Sequence, residues 1–261
     1  MADKARVGHR GKRARRARSE PEASGVEGDW EFAVDRGGTF TDCIGAAPDG
    51  ALHTAKILSS DTAPVEGIRL VLERAGAIPP GAPLPRCRVR LGTTLATNAL
   101  LERRGAPTVL VANRGLGDLI EIGTQERPEL FDLEIRKPLP LRARVVEVDG
   151  RVGAGGEEIE AFDESSARAS LAEARAAGIE SAAVALIHAY AHPEAEARLR
   201  DLALELGFSH VVASHEIARE MGLLARGETT TVDAYLTPLL RAHVAALQRE
   251  LPGSRLRFMQ S

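Results

Sequence analysis

The stretch Val34-Asp35-Arg36-Gly37-Gly38-Thr39-Phe40-Thr41-Asp42 sets a carboxylate, two adjacent glycines and two threonines between apolar runs. Upstream, Glu31-Phe32-Ala33-Val34 reads as a short strand, and Cys43-Ile44-Gly45-Ala46 reads as its return. The glycines therefore fall where the backbone must turn, and without side chains they leave their N–H groups unobstructed. The N–H groups of Gly37 and Gly38, joined by the hydroxyls of Thr39 and Thr41, suit the oxygens of a polyphosphate. Asp35, at the end of the first strand, is placed to hold Mg²⁺ through water, because this cation keeps much of its hydration shell and takes few direct carboxylate ligands. Asp42 is a second polar group beside it. The same spacing also describes an ordinary Gly-Gly hairpin whose threonines cap a turn, and a short Gly/Thr motif does not separate the two.

Outward from that turn, extended and helical patterns alternate, with a third strand expected at Leu52 to Leu58. Pro64 opens a helix that Gly76 closes, the usual placement of these two residues at helix ends. Val89-Arg90-Leu91 reads as a strand leading into Gly92-Thr93-Thr94, and Leu95 to Arg104 as a helix ended by Gly105. A strand-end glycine followed by hydroxyls at a helix start binds an anion or a substrate carboxylate, which makes Gly92, Thr93, Thr94, Thr97 and Asn98 a second candidate set. Simple capping of the helix is the competing reading. Thr108 to Ala112 has the apolar run of a buried strand. Residues 113 to 160 are rich in Gly, Pro and charge and give only one strand, Arg144 to Val148.

Further on, the pattern predicts a helix at Glu164 to Ala177, a strand at Ala182 to Ile187, a helix from Pro193 to Gly207 and a strand at His210 to Ala213. Apolar residues at Val232, Tyr235, Leu236, Leu239, Leu240, Val244 and Leu247 have the spacing of one long amphipathic helix over Thr229 to Leu251, interrupted near Pro238. A last strand begins at Leu256. Helices between strands imply an α/β fold whose sheet is largely parallel or mixed and covered on both faces.

The composition bounds the function. With 261 residues, 44% hydrophobic and 27% charged, the chain builds a sizeable core and is ordinary for a soluble globular protein. Aromatic residues make up 3%, too few for a base-stacking surface of the kind that binds single-stranded nucleic acid. Cys43 and Cys87 have no metal-ligand or disulfide-framework spacing, so a reducing cytoplasm is the expected setting. No run is apolar enough to cross a bilayer or to serve as a secretory signal. The formal net charge of -3 hides a basic arm, in which Lys4, Arg6, Arg10, Lys12, Arg13, Arg15, Arg16 and Arg18 crowd the first residues. With so few apolar residues, the segment 1–29 is expected to be a disordered tail, with no nucleic-acid partner called for.

Phe32-Ala33-Val34-Asp35-Arg36-Gly37-Gly38-Thr39-Phe40-Thr41-Asp42 resembles the opening of the hydantoinase A / 5-oxoprolinase family, and further blocks agree in order. They are Gly92-Thr93-Thr94-Leu95-Ala96-Thr97-Asn98-Ala99-Leu100-Leu101-Glu102-Arg103, then Arg114-Gly115 with Asp118-Leu119, then Ile122-Gly123-Thr124-Gln125 with Leu130-Phe131-Asp132-Leu133, and finally Arg226-Gly227 through Asp233-Ala234-Tyr235-Leu236-Thr237-Pro238. The resemblance runs from Trp30 almost to Ser261 and is nearest to the 5-oxoprolinase branch. It implies an actin-like, ribonuclease-H-like ATPase domain, with residues 30–213 as the N-terminal domain and 214–261 as the start of a second that is incomplete at its C-terminus.

The implied activity is ATP-dependent opening of the 5-oxo-L-proline lactam to L-glutamate, with ATP and Mg²⁺ at the first hairpin. A lactam is a stable amide, and phosphorylating its oxygen makes that oxygen a better leaving group. Such transfer needs positioned phosphates, Mg²⁺ and hydrogen-bond donors more than a nucleophilic side chain. Asp35 and Asp42 are then the catalytic carboxylates, with Asp35 holding the metal through water. Gly37, Gly38, Thr39 and Thr41 take the phosphates, and Gly92, Thr93, Thr94, Thr97 and Asn98 take the substrate. An ATP-dependent hydantoinase, a ketone carboxylase subunit and a noncatalytic nucleotide-binding module are the alternatives. Family members are much longer, so a C-terminal half or second subunit is an expected partner, with homo-oligomers when complete. Gln125, Arg127 and Asp132 at the rim, and Arg226, Thr229, Thr230 and Asp233 on the long helix, are secondary candidates. His188, His192, His210 and His215 are expected to be structural.

Overall fold

The computed structural model describes residues 29–124, 131, 133–134 and 138–259. The basic arm, Gln125, Arg127 and Asp132 lie outside the described residues. Three antiparallel strands open the fold, β1 (Trp30–Arg36), β2 (Phe40–Ala46) and β3 (Leu52–Leu58), followed by α1 (Ala63–Arg74) with Pro64 in its first turn. Next come β4 (Cys87–Thr93), the short α2 (Leu95–Leu101), β5 (Thr108–Asn113), α3 (Leu119–Ile122) and β6 (Arg144–Val148). A ribbon of β7 (Arg151–Val152) and β8 (Glu158–Glu160) precedes α4 (Glu164–Ala176), β9 (Ser181–Val184), α5 (Glu194–Glu205), β10 (His210–Ala213) and α6 (Ser214–Ile217). The long α7 (Leu223–Glu250) then leads into β11 (Arg255–Phe258).

These elements build two main sheets. The first is mixed, with order β11-β4-β1-β2-β3. Here β4 runs parallel to β1 and β11 parallel to β4, while β2 is antiparallel to both β1 and β3. This is the ribonuclease-H-like arrangement that the family resemblance implies. The second sheet, β10-β9-β5-β6, is parallel throughout.

Strand alternation decides what each sheet buries. In the first, Phe32, Val34, Cys43, Val89 and Leu91 point to one side, where Ile68, Val71 and Leu72 of α1 and Leu247 of α7 meet them in one core cluster. Both cysteines are buried there, and burial pushes the Cys43 thiol up to about 12. The second sheet is sandwiched. Val109, Val111, Val146 and Val184 pack on Leu171 of α4 and Leu199 and Leu202 of α5, while Leu110, Ala183 and Ala185 face Ala234 of α7. One helix therefore joins the two cores.

Several expectations change. The first strands are longer than read, so the connection is only Gly37-Gly38-Thr39 rather than a broad loop. Helix α2 stops at Leu101, and Arg103 takes a left-handed φ of 56° on the way to Gly105. Helix α7 starts at Leu223, not Thr229, and Pro238 lies inside it without ending it. The expected cover on both faces holds for the second sheet only. Among the described residues the first sheet is covered on one face, and its other face presents Ala33, Asp35, Asp42, Thr54, Lys56 and Arg90 to solvent.

Candidate functional site

The hairpin is built from its strands outward. Asp35 pairs in register with Asp42 on β2 and with Gly92 on β4, so all three stand in one row across the open face. A Cβ on Gly92 would lie 3.2 Å from Asp35 Oδ1, so it is the missing side chain that gives the Asp35 carboxylate its room. Asp42 is neutralised, because Lys56 Nζ donates to its two oxygens at 2.8 and 2.9 Å. Asp35 has no ion pair or side-chain hydrogen bond among the described residues, which leaves one free negative charge in the row.

At the tip, the Gly37 N–H donates to Phe40 O at 3.0 Å and closes a turn whose two central residues are Gly38 and Thr39. Neither Gly37 nor Gly38 lies in the left-handed region. Small size matters at Gly37, where a Cβ would stand 3.1 Å from Phe40 O, while a Cβ on Gly38 would meet Asn98 Nδ2 at an ordinary 3.7 Å. Ser59 braces the turn from behind, with its Oγ donating to Gly37 O at 2.8 Å and lying 3.0 Å from Thr41 Oγ1. Thr41 is fully buried. The expectation that the Gly37 N–H and the Thr41 hydroxyl face phosphate is thereby corrected, because both groups are used by the hairpin itself. The N–H groups of Gly38 and Thr39 and the Thr39 hydroxyl have no partner among the described residues.

The second candidate set meets the first. Thr94 N donates to Arg36 O at 3.3 Å, and Asn98 Nδ2 donates to Thr94 Oγ1 at 3.3 Å. The start of α2 is thus fastened to the hairpin, and Gly38, Thr94 and Asn98 form one patch. Thr93 is spent locally, its Oγ1 accepting from Leu95 N at 3.1 Å, and Thr97 is exposed on the next turn. The seven-residue α2 has no side-chain cap at Thr94.

Sequence reading missed what stands behind the hairpin. Arg36 projects from the covered face of β1 and pairs with Asp61 at 2.8 Å, and its Nη1 is buried without a partner among the described residues. His243 of α7 lies close enough that burial first, and the Arg36 charge second, hold its pKa below the ordinary histidine value. The only sequence signal was an arginine inside an otherwise small and polar turn.

A second polar centre was also missed. Glu196 is fully buried and accepts from Leu186 N at 2.8 Å, Ser214 Oγ at 2.6 Å, His215 N at 3.0 Å and His215 Nδ1 at 2.7 Å. Arg226, also fully buried, donates to Ser214 Oγ at 2.7 Å, to Glu220 O at 2.7 Å and to Leu186 O. Arg226 is therefore a structural clamp on the start of α7, not a nucleotide contact. Thr229 and Thr230 return their hydroxyls to carbonyls four residues back, and Asp233 faces His210 at 3.4 Å. His188 Nδ1 donates to Val152 O at 2.9 Å, and its φ of 59° marks a tight bend after β9.

Residues 31–207 match the family described as the hydantoinase/oxoprolinase N-terminal region. The chain is 39% identical to 5-oxoprolinase 1 of Arabidopsis thaliana over 90% of its own length and 21% of that protein. It is 37% identical to the 5-oxoprolinase of Saccharomyces cerevisiae, covering 90% of this chain and 22% of the yeast protein. It spans about a fifth of the length of these curated relatives. Among solved structures, the ATP-dependent caprolactamase from Pseudomonas jessenii superposes with a TM-score of 0.75 at 26% identity, covering 88% of this chain and 35% of that one. The chain therefore belongs to the hydantoinase/oxoprolinase family, as part of its N-terminal region.

Proposed function

We propose that this chain carries the Mg·ATP-gripping hairpin of an enzyme that opens 5-oxo-L-proline to L-glutamate. The observation that carries the reading is the Asp35 carboxylate, unpaired among the described residues, seated in the notch left by Gly92 and adjoining a turn with two N–H groups that have no partner among those residues. Identity to 5-oxoprolinases directs the choice of substrate. The donor set suits the ligand, since a carboxylate that reaches Mg²⁺ through water needs no crowd of further ligands. Unobstructed backbone N–H groups suit phosphate oxygens.

Bound Mg·ATP supplies the phosphoryl group that activates the lactam oxygen. The protein's own task is to orient and to balance charge. Asp35 orders the metal's waters, and Gly38, Thr39 and the Thr39 hydroxyl fix phosphate oxygens. Lys56 keeps Asp42 from adding a second uncompensated charge beside the triphosphate. Thr94 and Asn98, fastened to the same turn, would contact the substrate. Catalysis of this type rests on positioning and on preorganised charge. A further polypeptide, whether continuous or separate, supplies the rest of the nucleotide site, and the working assembly is a soluble cytoplasmic oligomer.

The test is phosphate release from ATP in the presence of 5-oxo-L-proline, hydantoin, caprolactam or acetone. Stimulation by 5-oxo-L-proline above the other three is expected, and stimulation by one of the others in its place would replace the substrate assignment.

A further inference from the structure

The first sheet has a bare face, and its chemistry is uneven. The registers place Arg255 of β11 beside Arg88 of β4, and Arg257 beside Arg90, so four guanidinium groups form a square on two adjacent parallel strands. Arg88 in turn stands beside Glu31, and Arg90 beside Ala33. Among the described residues, Glu31 lies 3.0 Å from Arg88 and 4.0 Å from Arg90, and Asp29 lines a hollow with Arg88 and Arg255 at the edge of the square. Arg255 and Arg257 are exposed and have no hydrogen bond or ion pair among the described residues. Next to the square runs an apolar strip, in which Ala33 pairs with Ile44 and Ala46 with Leu52, and Ile44 and Leu52 are 47% and 71% exposed.

The square lies on β11, β4 and β1, the parallel part of the sheet. Parallel strands occur with both faces covered, and a sheet buries its apolar face against a further layer. Here α1 and the end of α7 occupy one face only. We infer that the open face is a docking surface for an acidic amphipathic helix, carboxylates over the arginine square and apolar side chains along Ala33, Ile44 and Leu52. Charge complementarity selects this occupant over the chain's own basic arm, which the four arginines repel. The relatives extend several-fold beyond the span of this chain, which leaves ample polypeptide in this family to provide such a helix. The inference is independent of the nucleotide reading, because it uses no residue of the Asp35 row.

The test uses the whole chain and a fluorescein-labelled amphipathic peptide of about 18 residues, five helical turns, with Glu on one face and Leu on the other. A peptide with Lys in place of Glu is the control. Anisotropy should report binding of the Glu peptide only, weakened by salt as surface charge pairs are. Arg90→Glu combined with Arg257→Glu should weaken it at least about tenfold, equivalent to ~1.4 kcal/mol. Ile44→Asp, which touches no arginine, should weaken it independently, and both variants should keep the parent melting temperature because the side chains are exposed. Hydrogen exchange should show added protection on β1, β4 and β11. No binding, equal binding of the Lys peptide, or binding indifferent to both variants would overturn the inference. Self-association that protects this face in the absence of peptide would overturn it in favour of a second copy.

Discussion

Replacing Glu196 tests whether the buried polar centre holds α7 in place. Glu196→Ala removes a carboxylate that accepts from Leu186 N, Ser214 Oγ, His215 N and His215 Nδ1, all within 3.0 Å. It leaves Arg226, fully buried, with backbone carbonyls and one hydroxyl but no counter-charge. Glu196 and Arg226 meet through Ser214 Oγ rather than directly, so the loss comes from several buried donors left without their acceptor, each costing about 1–3 kcal/mol, roughly 3–5 kcal/mol in all. For a chain of this size that corresponds to a fall in melting temperature of roughly 6–20 °C. Glu196→Gln keeps the volume yet turns an amide N–H₂ toward donors, so it should recover only part of the loss. In urea titrations, Glu196→Ala with Arg226→Ala should cost less than the sum of the single changes by about 1 kcal/mol or more, since both residues hold Ser214 Oγ and the Glu196 charge offsets that of Arg226. A loss under ~1 kcal/mol for Glu196→Ala, or strict additivity in the double variant, would refute the reasoning.

Three further outcomes follow from local geometry. Gly105→Ala would set a Cβ 2.2 Å from the Tyr235 ring, so the variant should lose about 1–3 kcal/mol by overpacking, read from urea unfolding. Gly92→Ala would press on Asp35 Oδ1 at 3.2 Å and should weaken Mg·ATP binding several-fold, up to about tenfold or ~1.4 kcal/mol, while thermal stability changes little. His210 and His243 are held below the ordinary histidine value chiefly by burial, so the unfolded chain binds the extra protons and stability rises with pH. The melting temperature should therefore fall as pH drops through about 6.5, and His243→Gln should flatten that slope; a slope unchanged by the substitution would contradict it.

Much of the fold is legible because its signals are local. Pro64 and Gly76 bracket α1, and the bounds of β6 and β10 agree with the apolar runs at Arg144 to Val148 and His210 to Ala213. The start of α7 is not legible, because Arg226 reads as a solvent-facing residue until Ser214, the Leu186 carbonyl and the Tyr190 ring, distant in sequence, are seen to enclose it. The hairpin shows the same limit at closer range. Thr39 and Thr41 look equivalent in sequence, yet Thr41 lies inside β2 on its buried face beside Ser59, while Thr39 lies in the turn before β2 begins. The adjacency of Gly38 to Asn98 depends on β4 pairing with β1, a long-range contact that no local pattern encodes.

The central claim is that Asp35 holds nucleotide through a metal. Calorimetric titration of the chain with ATP in the presence of Mg²⁺, and again with EDTA, compared with Asp35→Asn, tests it most directly. The account predicts that Mg²⁺ strengthens ATP binding to the parent chain and that Asp35→Asn abolishes this Mg²⁺-dependent gain while leaving the melting temperature intact. Mg²⁺-dependent ATP binding undiminished in Asp35→Asn would contradict it.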